Sequence, residues 1–187
     1  FYNYSDLTIG EISPISDLIV TNGGNFVHED GIVKGTGNIS SSGFLNSGGT
    51  LSPGYSPGKM TFTTAETFAN STLSMEVTGG GGVGGTDFDQ ISVNGVATFS
   101  ATTFLALNFS YPTANGTTYD ILTATSISGT ITTGNISFTN TGSGNVTAVT
   151  VTYPGGNIVR VTVTAGTTNI WTGATNTDWA TASNWTA

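Results

Sequence analysis

The stretch GGTLSPGYSPGKMTF, residues 48–62, decides how this chain folds. It ends one short apolar run, passes through Pro53-Gly54 and Pro57-Gly58, and begins another apolar run. Each proline presets its φ for a turn, and each glycine can take the positive φ that a tight turn between strands requires. The stretch therefore predicts two turns between short strands, with Pro53, Gly54, Pro57 and Gly58 as structural turn residues, in a chain that winds in coils.

Three later segments continue this series of strands and turns. They are STLSMEV at residues 71–77, TDFDQISVNG at 86–95 and GTTYDIL at 116–122. Together with the Leu-Ser-Pro-Gly-Tyr-Ser-Pro-Gly run, the series resembles the autotransporter-associated β-strand repeat of large bacterial surface proteins. The resemblance covers roughly residues 31 to 131. It implies the passenger-type β-helix fold of a bacterial surface adhesin, located outside the cell or on the cell surface.

The composition indicates an all-β protein. Only 7% of the residues are charged, against about 25% in an average soluble protein. Yet 36% are hydrophobic, with ten Phe and six Tyr, which is too much for a solvated coil. The apolar residues alternate with Thr and Ser, and no segment shows a period of 3.6 residues. We expect helices to be absent or limited to one turn.

The charges exclude several classes of partner. Lys34, Lys59 and Arg160 are the only basic residues against eleven Asp and Glu, so the net charge is −8. Nucleic acid is excluded because phosphate binding needs clustered Lys and Arg, and anionic lipid surfaces are disfavoured for the same reason. No apolar run approaches the 18 residues of a membrane span, which predicts no direct membrane insertion.

Two further features suggest the setting of the chain. It has no cysteine, which excludes disulfides and thiol chemistry. Small secreted eukaryotic domains are usually disulfide-stapled, so the absence fits a bacterial surface protein stabilised by stacked strands. The chain begins at Phe1 without a signal-type segment, and we expect it to be an excerpt from a longer precursor.

The first part of the chain has very short apolar runs separated by Gly or Asn. Ile32-Val33, Phe44-Leu45 and Thr50-Leu51 are examples. Strands of two to four residues with such corners are typical of a parallel β-solenoid, or β-helix, whereas a sandwich prefers longer strands. Later runs lengthen, and a corner is expected at Asn94-Gly95, between one short strand and the next.

The clearest antiparallel signal lies near the end. The turn PGGN at 154–157 is flanked by alternating apolar runs at 145–153 and 158–164, which predicts a β-hairpin. Such a hairpin would cover the last coil, whose open end otherwise exposes unpaired backbone groups. The residues expected to oppose each other are Val149 and Val151 on one strand and Val161 and Val163 on the other.

We therefore expect three parts. Residues 1–145 form β-solenoid coils, residues 146–168 form the closing β-hairpin, and residues 169–187 form a Trp-rich junction or cap.

Few residues qualify as candidates for chemistry. His28 is the only histidine, beside Glu29 and Asp30, and we expect it on the surface. A Ser–His–Asp triad needs a rigid scaffold and an oxyanion hole, and no Gly-x-Ser-x-Gly motif appears. Zinc sites need several His or Cys ligands. No catalytic residue, cofactor site or enzymatic activity is predicted.

Asp87 and Asp89 are the best pair of carboxylates. In a strand, residues i and i+2 share a face, so the pair is a candidate for calcium or for a glycosidase. The alternative is that Phe88 packs inward while both aspartates face water at the start of a strand. The resemblance favours this structural role, because a Phe-Asp-x-Ile strand matches the family pattern. The preceding glycine-rich run at 79–85 reads as a flexible surface loop.

All three tryptophans lie in the last seventeen residues, at Trp171, Trp179 and Trp185. This stretch resembles the start of the next module in tandem surface-repeat proteins, so these residues are candidates for an interface with a neighbouring module or copy. Large rings bury much area where they meet another surface. A cap on the coils and a sugar-binding aromatic platform are the alternatives.

These features point to a structural role. The expected function is a stalk or repeat module of a large secreted, adhesin-like protein of the bacterial cell surface. The alternatives are a subunit of an extracellular filament or sheath assembled end to end, and a carbohydrate-binding or carbohydrate-active β-helix. The expected partners are neighbouring modules, copies of the same chain, or glycans of the host or the surface.

Overall fold

The computed structural model describes residues 2–3, 7–9, 18–19, 25–40, 43–166 and 170–186. This part of the chain contains strands and single 3-10 turns at Thr133–Asn135, Pro154–Gly156 and Ala182–Asn184, and it has no α-helix. The strands are β1 (Tyr2–Asn3), β2 (Leu7–Ile9), β3 (Leu18–Ile19), β4 (Asn25–His28), β5 (Ile32–Gly35), β6 (Gly37–Ser40), β7 (Gly43–Asn46), β8 (Thr50–Pro53), β9 (Lys59–Phe62), β10 (Glu66–Phe68), β11 (Thr72–Val77), β12 (Gln90–Phe99), β13 (Phe104–Phe109), β14 (Thr118–Ser128), β15 (Ile136–Asn140), β16 (Val146–Thr152), β17 (Ile158–Ala165), β18 (Ile170–Trp171) and β19 (Trp185–Thr186).

The strands form two large open sheets and one small one. The first sheet has eleven strands in the order β1-β4-β7-β10-β12-β14-β17-β16, with β3, β6 and β9 joined to it through β12. The second has six strands in the order β15-β13-β11-β8-β5-β2. Strands β18 and β19 pair by themselves. The expectation of an all-β protein is confirmed.

Within β1 to β15 every strand pair is parallel. Each strand from β1 to β9 pairs with the third strand after it, as in the series β2-β5-β8-β11. Apolar residues of one strand therefore lie beside apolar residues of the next strand. Leu51, Leu73 and Leu105 follow one another across β8, β11 and β13, and each is at most 1% exposed.

Aromatic side chains stack in the same way in the first sheet. Phe68 of β10 pairs in register with Phe99 of β12, and their rings lie nearly parallel with centroids 5.4 Å apart. Phe62 meets Phe68 edge-on at 6.2 Å. These columns of buried side chains form one hydrophobic core between the strands of the two sheets.

Strand β12 differs from its prediction. A corner was expected at Asn94-Gly95, but Gln90–Phe99 forms one strand of ten residues, and the register with β14 shifts between Val93 and Val96. A β-bulge absorbs the extra residue without ending the strand. Gly95 fits this bend because a Cβ there would lie 2.6 Å from the backbone nitrogen of Ala65.

The antiparallel hairpin forms as predicted. Strands β16 and β17 pair through the turn at Pro154–Gly156, and β17 also pairs antiparallel with β14. The first sheet thus changes from parallel to antiparallel pairing at β14. The predicted cross-strand pairs are confirmed, Val149 with Val163 and Val151 with Val161.

Candidate functional sites

The Pro-Gly corner lies between β8 and β9, where two glycine backbones touch. Pro53 is the last residue of β8, and Gly54 follows at a φ of 81°. A Cβ on Gly58 would lie 2.2 Å from the Cα of Gly54, so neither position has room for a side chain. Pro57, which follows a cis peptide bond, closes the turn between them. The backbone N–H of Gly54 donates to the carbonyl of Gly35 at 2.6 Å. This hydrogen bond holds the corner against the end of β5.

Asp89 fastens the same corner to the next strands. Its Oδ1 accepts a hydrogen bond from the backbone N–H of Gly58 at 2.8 Å, and its Oδ2 accepts one from the N–H of Glu76 at 2.8 Å. Its own N–H donates to the carbonyl of Glu76 at 2.8 Å. One carboxylate therefore joins the corner, β11 and the start of β12.

Asp89 is enclosed, with 1% of its surface exposed. Burial raises its pKa to about 7, against the lowering effect of the two backbone hydrogen bonds. The nearby carboxylate of Glu76 raises it further. A carboxyl with this pKa could exchange protons near neutral pH, but its burial keeps a substrate from reaching it. The expectation that Asp89 faces water is wrong, because its two oxygens are required by backbone donors inside the fold.

Asp87 lies in a turn before β12 and not in a strand. Its Oδ2 accepts hydrogen bonds from the backbone N–H groups of Gly82 and Val83, each at 2.9 Å. The carboxylate thus orders the glycine-rich run at 79–85. Asp87 and Asp89 serve different sets of backbone donors, and between them Phe88 packs inward with 4% exposure. In the described part of the chain no group of three His, Cys, Asp or Glu side chains could hold a metal ion.

His28 is buried and not on the surface, which corrects its prediction. It ends β4 with 0% exposure, and a Cβ on Gly49 would lie 2.6 Å from its Nε2. The reason is its position two residues after Phe26, which puts both side chains on the inner face of the strand. The spacing of two residues from Phe26 is the sequence signal for this position, and it applies only if the strand extends to His28.

An ion pair that was not predicted from the sequence joins the hairpin to β14. Arg160 of β17 donates from Nε and Nη2 to the two carboxylate oxygens of Asp120 on β14, at 2.6 and 2.8 Å. The two residues are register partners in the antiparallel pair. The contact with Asp120 raises the pKa of Arg160 further above its usual value.

The tryptophan segment folds around Asn184. This side chain is buried, its Oδ1 accepts from the N–H groups of Thr175 and Asn176, and its Nδ2 donates to Asn176 and Asp178. Trp171 and Trp185 lie on the paired strands β18 and β19, where their backbones are register partners. The side chain of Trp185 lies outside the described residues.

Two of the three tryptophan side chains are brought together. The rings of Trp171 and Trp179 stack with centroids 5.5 Å apart and an angle of 13° between their planes. Trp179 is 67% exposed, and Trp171 is half-buried with its Nε1 enclosed and without a hydrogen-bond partner among the described residues. The segment therefore presents a flat aromatic surface.

A cleft of about 330 Å³ opens where the two large sheets end. Ile136 and Phe138 of β15 line one side, and Val149 and Val151 of β16 line the other, with Ile131 at the base of the wall. All but Ile131 are half-buried. This cleft was not predicted from the sequence, because β15 was not predicted as a strand; the alternation in Ile136-Ser137-Phe138 is its signal.

Comparison with models of protein families, with curated proteins and with solved structures found no match to this chain. In the part of the chain that the structure describes, no helix is long and apolar enough to cross a membrane.

Proposed function

We propose that this chain is a structural module whose strands wind as a right-handed parallel β-solenoid, and that it serves as a stalk or repeat unit of a large secreted, adhesin-like protein of the bacterial cell surface. The observation that carries the proposal is the parallel pairing of each strand from β1 to β9 with the third strand after it. A chain that pairs in this way returns to the same side after every three strands. Each return advances it by one strand spacing of about 4.8 Å.

The interior supports a structural role. Stacked side chains such as Leu73, Leu105 and the Phe68–Phe99 pair fill the space between the sheets. Two side chains capable of acid–base chemistry, His28 and Asp89, are at most 1% exposed and are packed within the fold. We therefore propose that the module acts through its length and its surface and has no catalytic step.

Antibody labelling tests the location. Antibodies raised against folded residues 43–166 should label intact cells of the source bacterium, and brief treatment of those cells with protease should remove the label. An antibody against a ribosomal protein is the control for cell integrity. Labelling that appears only after permeabilisation would contradict the proposal.

A second candidate function is glycan binding by the tryptophan segment. The stacked pair of Trp171 and Trp179 is flat and Trp179 is 67% exposed, and sugar rings pack on aromatic faces of this kind. Titration with an array of oligosaccharides, followed by tryptophan fluorescence, tests it. Binding lost in Trp179→Ala and kept in Tyr111→Ala, which removes another exposed aromatic side chain, would support this role.

A further inference from the structure

The two large sheets end near each other, and each ends in an edge strand. Strand β15 is the last of the second sheet, and β16 is the last of the first. In the described part of the chain, each is paired on one side only. The cleft of about 330 Å³ lies between them. We call this region, residues 131–151, the C-terminal pole.

The apolar columns of the core stop at this pole without being covered. Leu105 and Leu107 of β13 are at most 2% exposed. Their register partners on β15, Ile136 and Phe138, are only half-buried. One more rung of apolar side chains on the outer side of β15 would complete their burial.

Strand β15 lacks the features that protect natural sheet edges, whereas β16 has one of them, a bulge between Val146 and Ala148. Lone edges usually carry charged residues, prolines or bulges that prevent pairing with another chain. Residues 121–159 contain no Asp, Glu, Lys or Arg, and β15 and β16 contain no proline. Strand β16 reads Val-Thr-Ala-Val-Thr-Val-Thr, which has high β propensity. Such an edge favours pairing with a further strand.

The opposite end of the second sheet supplies a strand of the right direction. Strand β2 is the other edge strand of that sheet, parallel to β15 and paired with β5 on one side. Its backbone register places Leu7 beside Val33, which belongs to the same row as Leu51, Leu73, Leu105 and Ile136. Neither β2 nor β15 contains a charged residue, so no like charges of these two strands face each other at the joint.

We propose that the C-terminal pole binds a second copy of this chain, whose β2 adds in parallel to the free edge of β15 and continues the second sheet. Leu7 of the second copy then follows Ile136 in the row, and Thr8 follows Ser137. Chain addition at a sheet edge uses main-chain hydrogen bonds for affinity and side-chain rows for register. The inference deepens the proposed structural role and rests on it.

The contact joins two different surfaces, the pole of one copy and the first strands of the next. A head-to-tail contact that does not close into a ring produces open linear assemblies. Copies joined in this way therefore assemble end to end, as in a filament or in a row of aligned repeats.

Disulfide cross-linking tests the register directly, because the chain has no cysteine of its own. Neighbouring strands lie about 4.8 Å apart, within the Cα separations that a disulfide accepts. The double variant Thr8→Cys/Ser137→Cys should form a ladder of dimers, trimers and longer species on mild oxidation. Thr8→Cys/Ser74→Cys is the matched control, since Ser74 lies on β11, which is paired on both sides. This control should stay largely monomeric.

A charge placed in the cleft tests the contact between copies independently. Thr150 is exposed and lines the cleft, whereas Thr125 is exposed on β14 outside it. Thr150→Lys should abolish the cross-linked ladder of the Thr8/Ser137 cysteine pair, and Thr125→Lys should leave it unchanged. Circular dichroism of both variants confirms that the β fold is kept.

Three results would overturn the proposal. One is a ladder equally strong in the Ser74 control, and another is efficient dimerisation of Ser137→Cys alone, which would indicate pole-to-pole pairing. The third is a monomeric Thr8/Ser137 variant with an intact fold. None of these outcomes bears on surface labelling of the cells, so failure of this contact is distinguishable from failure of the stalk function.

Discussion

At the scale of residues, the corner between β8 and β9 depends on two glycines and one buried carboxylate. Glycines at 54 and 58 allow two backbone segments to touch. The carboxylate of Asp89 then accepts hydrogen bonds from the N–H groups of Gly58 and Glu76 inside the fold. Buried backbone donors without partners are costly, so the aspartate compensates for the crowding that the glycines permit.

Replacing Gly58 by alanine should destabilise the chain. The new Cβ would meet the Gly54 backbone, which cannot move away as a flexible side chain could. We expect the free energy of unfolding to fall by about 2 to 4 kcal/mol. Gly134→Ala is the control, because a Cβ at Gly134 has no atom within 4 Å and should change the stability little. Urea unfolding of both variants measures the difference; equal midpoints would contradict the role of the corner.

Asp89 should make stability depend on pH. Its folded pKa of about 7 lies above the ordinary value of 3.8, so the folded state holds this proton more tightly than the unfolded state. The contribution of Asp89 to the free energy of unfolding is therefore fully present below about pH 4 and is lost as the pH rises through about 7. Between pH 5 and pH 8 the loss from this group amounts to about 3 kcal/mol.

Asp89→Asn removes the titrating group and keeps the shape of the side chain. The fall in unfolding free energy between pH 5 and pH 8 should be clearly smaller in this variant than in the wild type. Asp178→Asn, at an exposed position, is the control and should keep the wild-type profile. A wild-type profile that is flat, or that rises with pH over this range, would show that Asp89 is ionised at little cost.

The same residues show where inference from sequence stops. The Pro-Gly turns have local signals, because proline and glycine act through their own backbone angles. Asp89 and His28 do not, since whether a polar side chain at a strand end points inward depends on the strands stacked beside it. The one available signal for Asp89 was its rarity: a carboxylate directly before an apolar strand in a chain with 7% charged residues.

At the scale of elements, the hairpin is attached to the parallel strands through β14 and β17, and the pair of Asp120 and Arg160 spans this junction. Both side chains are about one-third exposed. Exposed ion pairs stabilise a fold only modestly, and more reliably when the arginine is bidentate, as here.

A double-mutant cycle with Asp120→Asn and Arg160→Gln should give a favourable coupling energy at low salt, because both single variants break the same pair of hydrogen bonds. The coupling should decrease when salt is added. Thermal or urea unfolding of the four proteins provides the values. A coupling near zero at low salt would mean that the strands hold the hairpin without this pair.

Elements were predictable where their signals are local. The hairpin has a turn sequence and two alternating strands, and its register follows from them. By contrast, β12 was divided at Asn94-Gly95 because this dipeptide usually marks a turn. The neighbours β9, β10 and β14 hold it in one strand, so tertiary pairing overrides the local preference. Strand β10 was missed because Glu66-Thr67-Phe68 has little apolar character, although Glu66 is buried.

At the scale of the whole molecule, the tryptophan segment has its own pair of strands and a hydrogen-bond network centred on Asn184. Deleting residues 170–187 should therefore leave the β-sheet signal and the melting temperature of the rest nearly unchanged. If the segment is a junction, the deletion should weaken association between copies. Circular dichroism and light scattering measure the two effects. A large drop in melting temperature would instead identify the segment as a cap on the two large sheets.

The hairpin has a consequence for the order in which the chain folds. Val151 pairs with Val161, ten residues on, whereas Leu73 must find Leu105, 32 residues on. Closing a short loop costs less entropy and is faster. We expect the hairpin to form first and to offer β14 a template, after which the parallel strands add one by one toward the N-terminal end. Pulsed hydrogen exchange during refolding should then protect amides of β16 and β17 before those of β5 and β8.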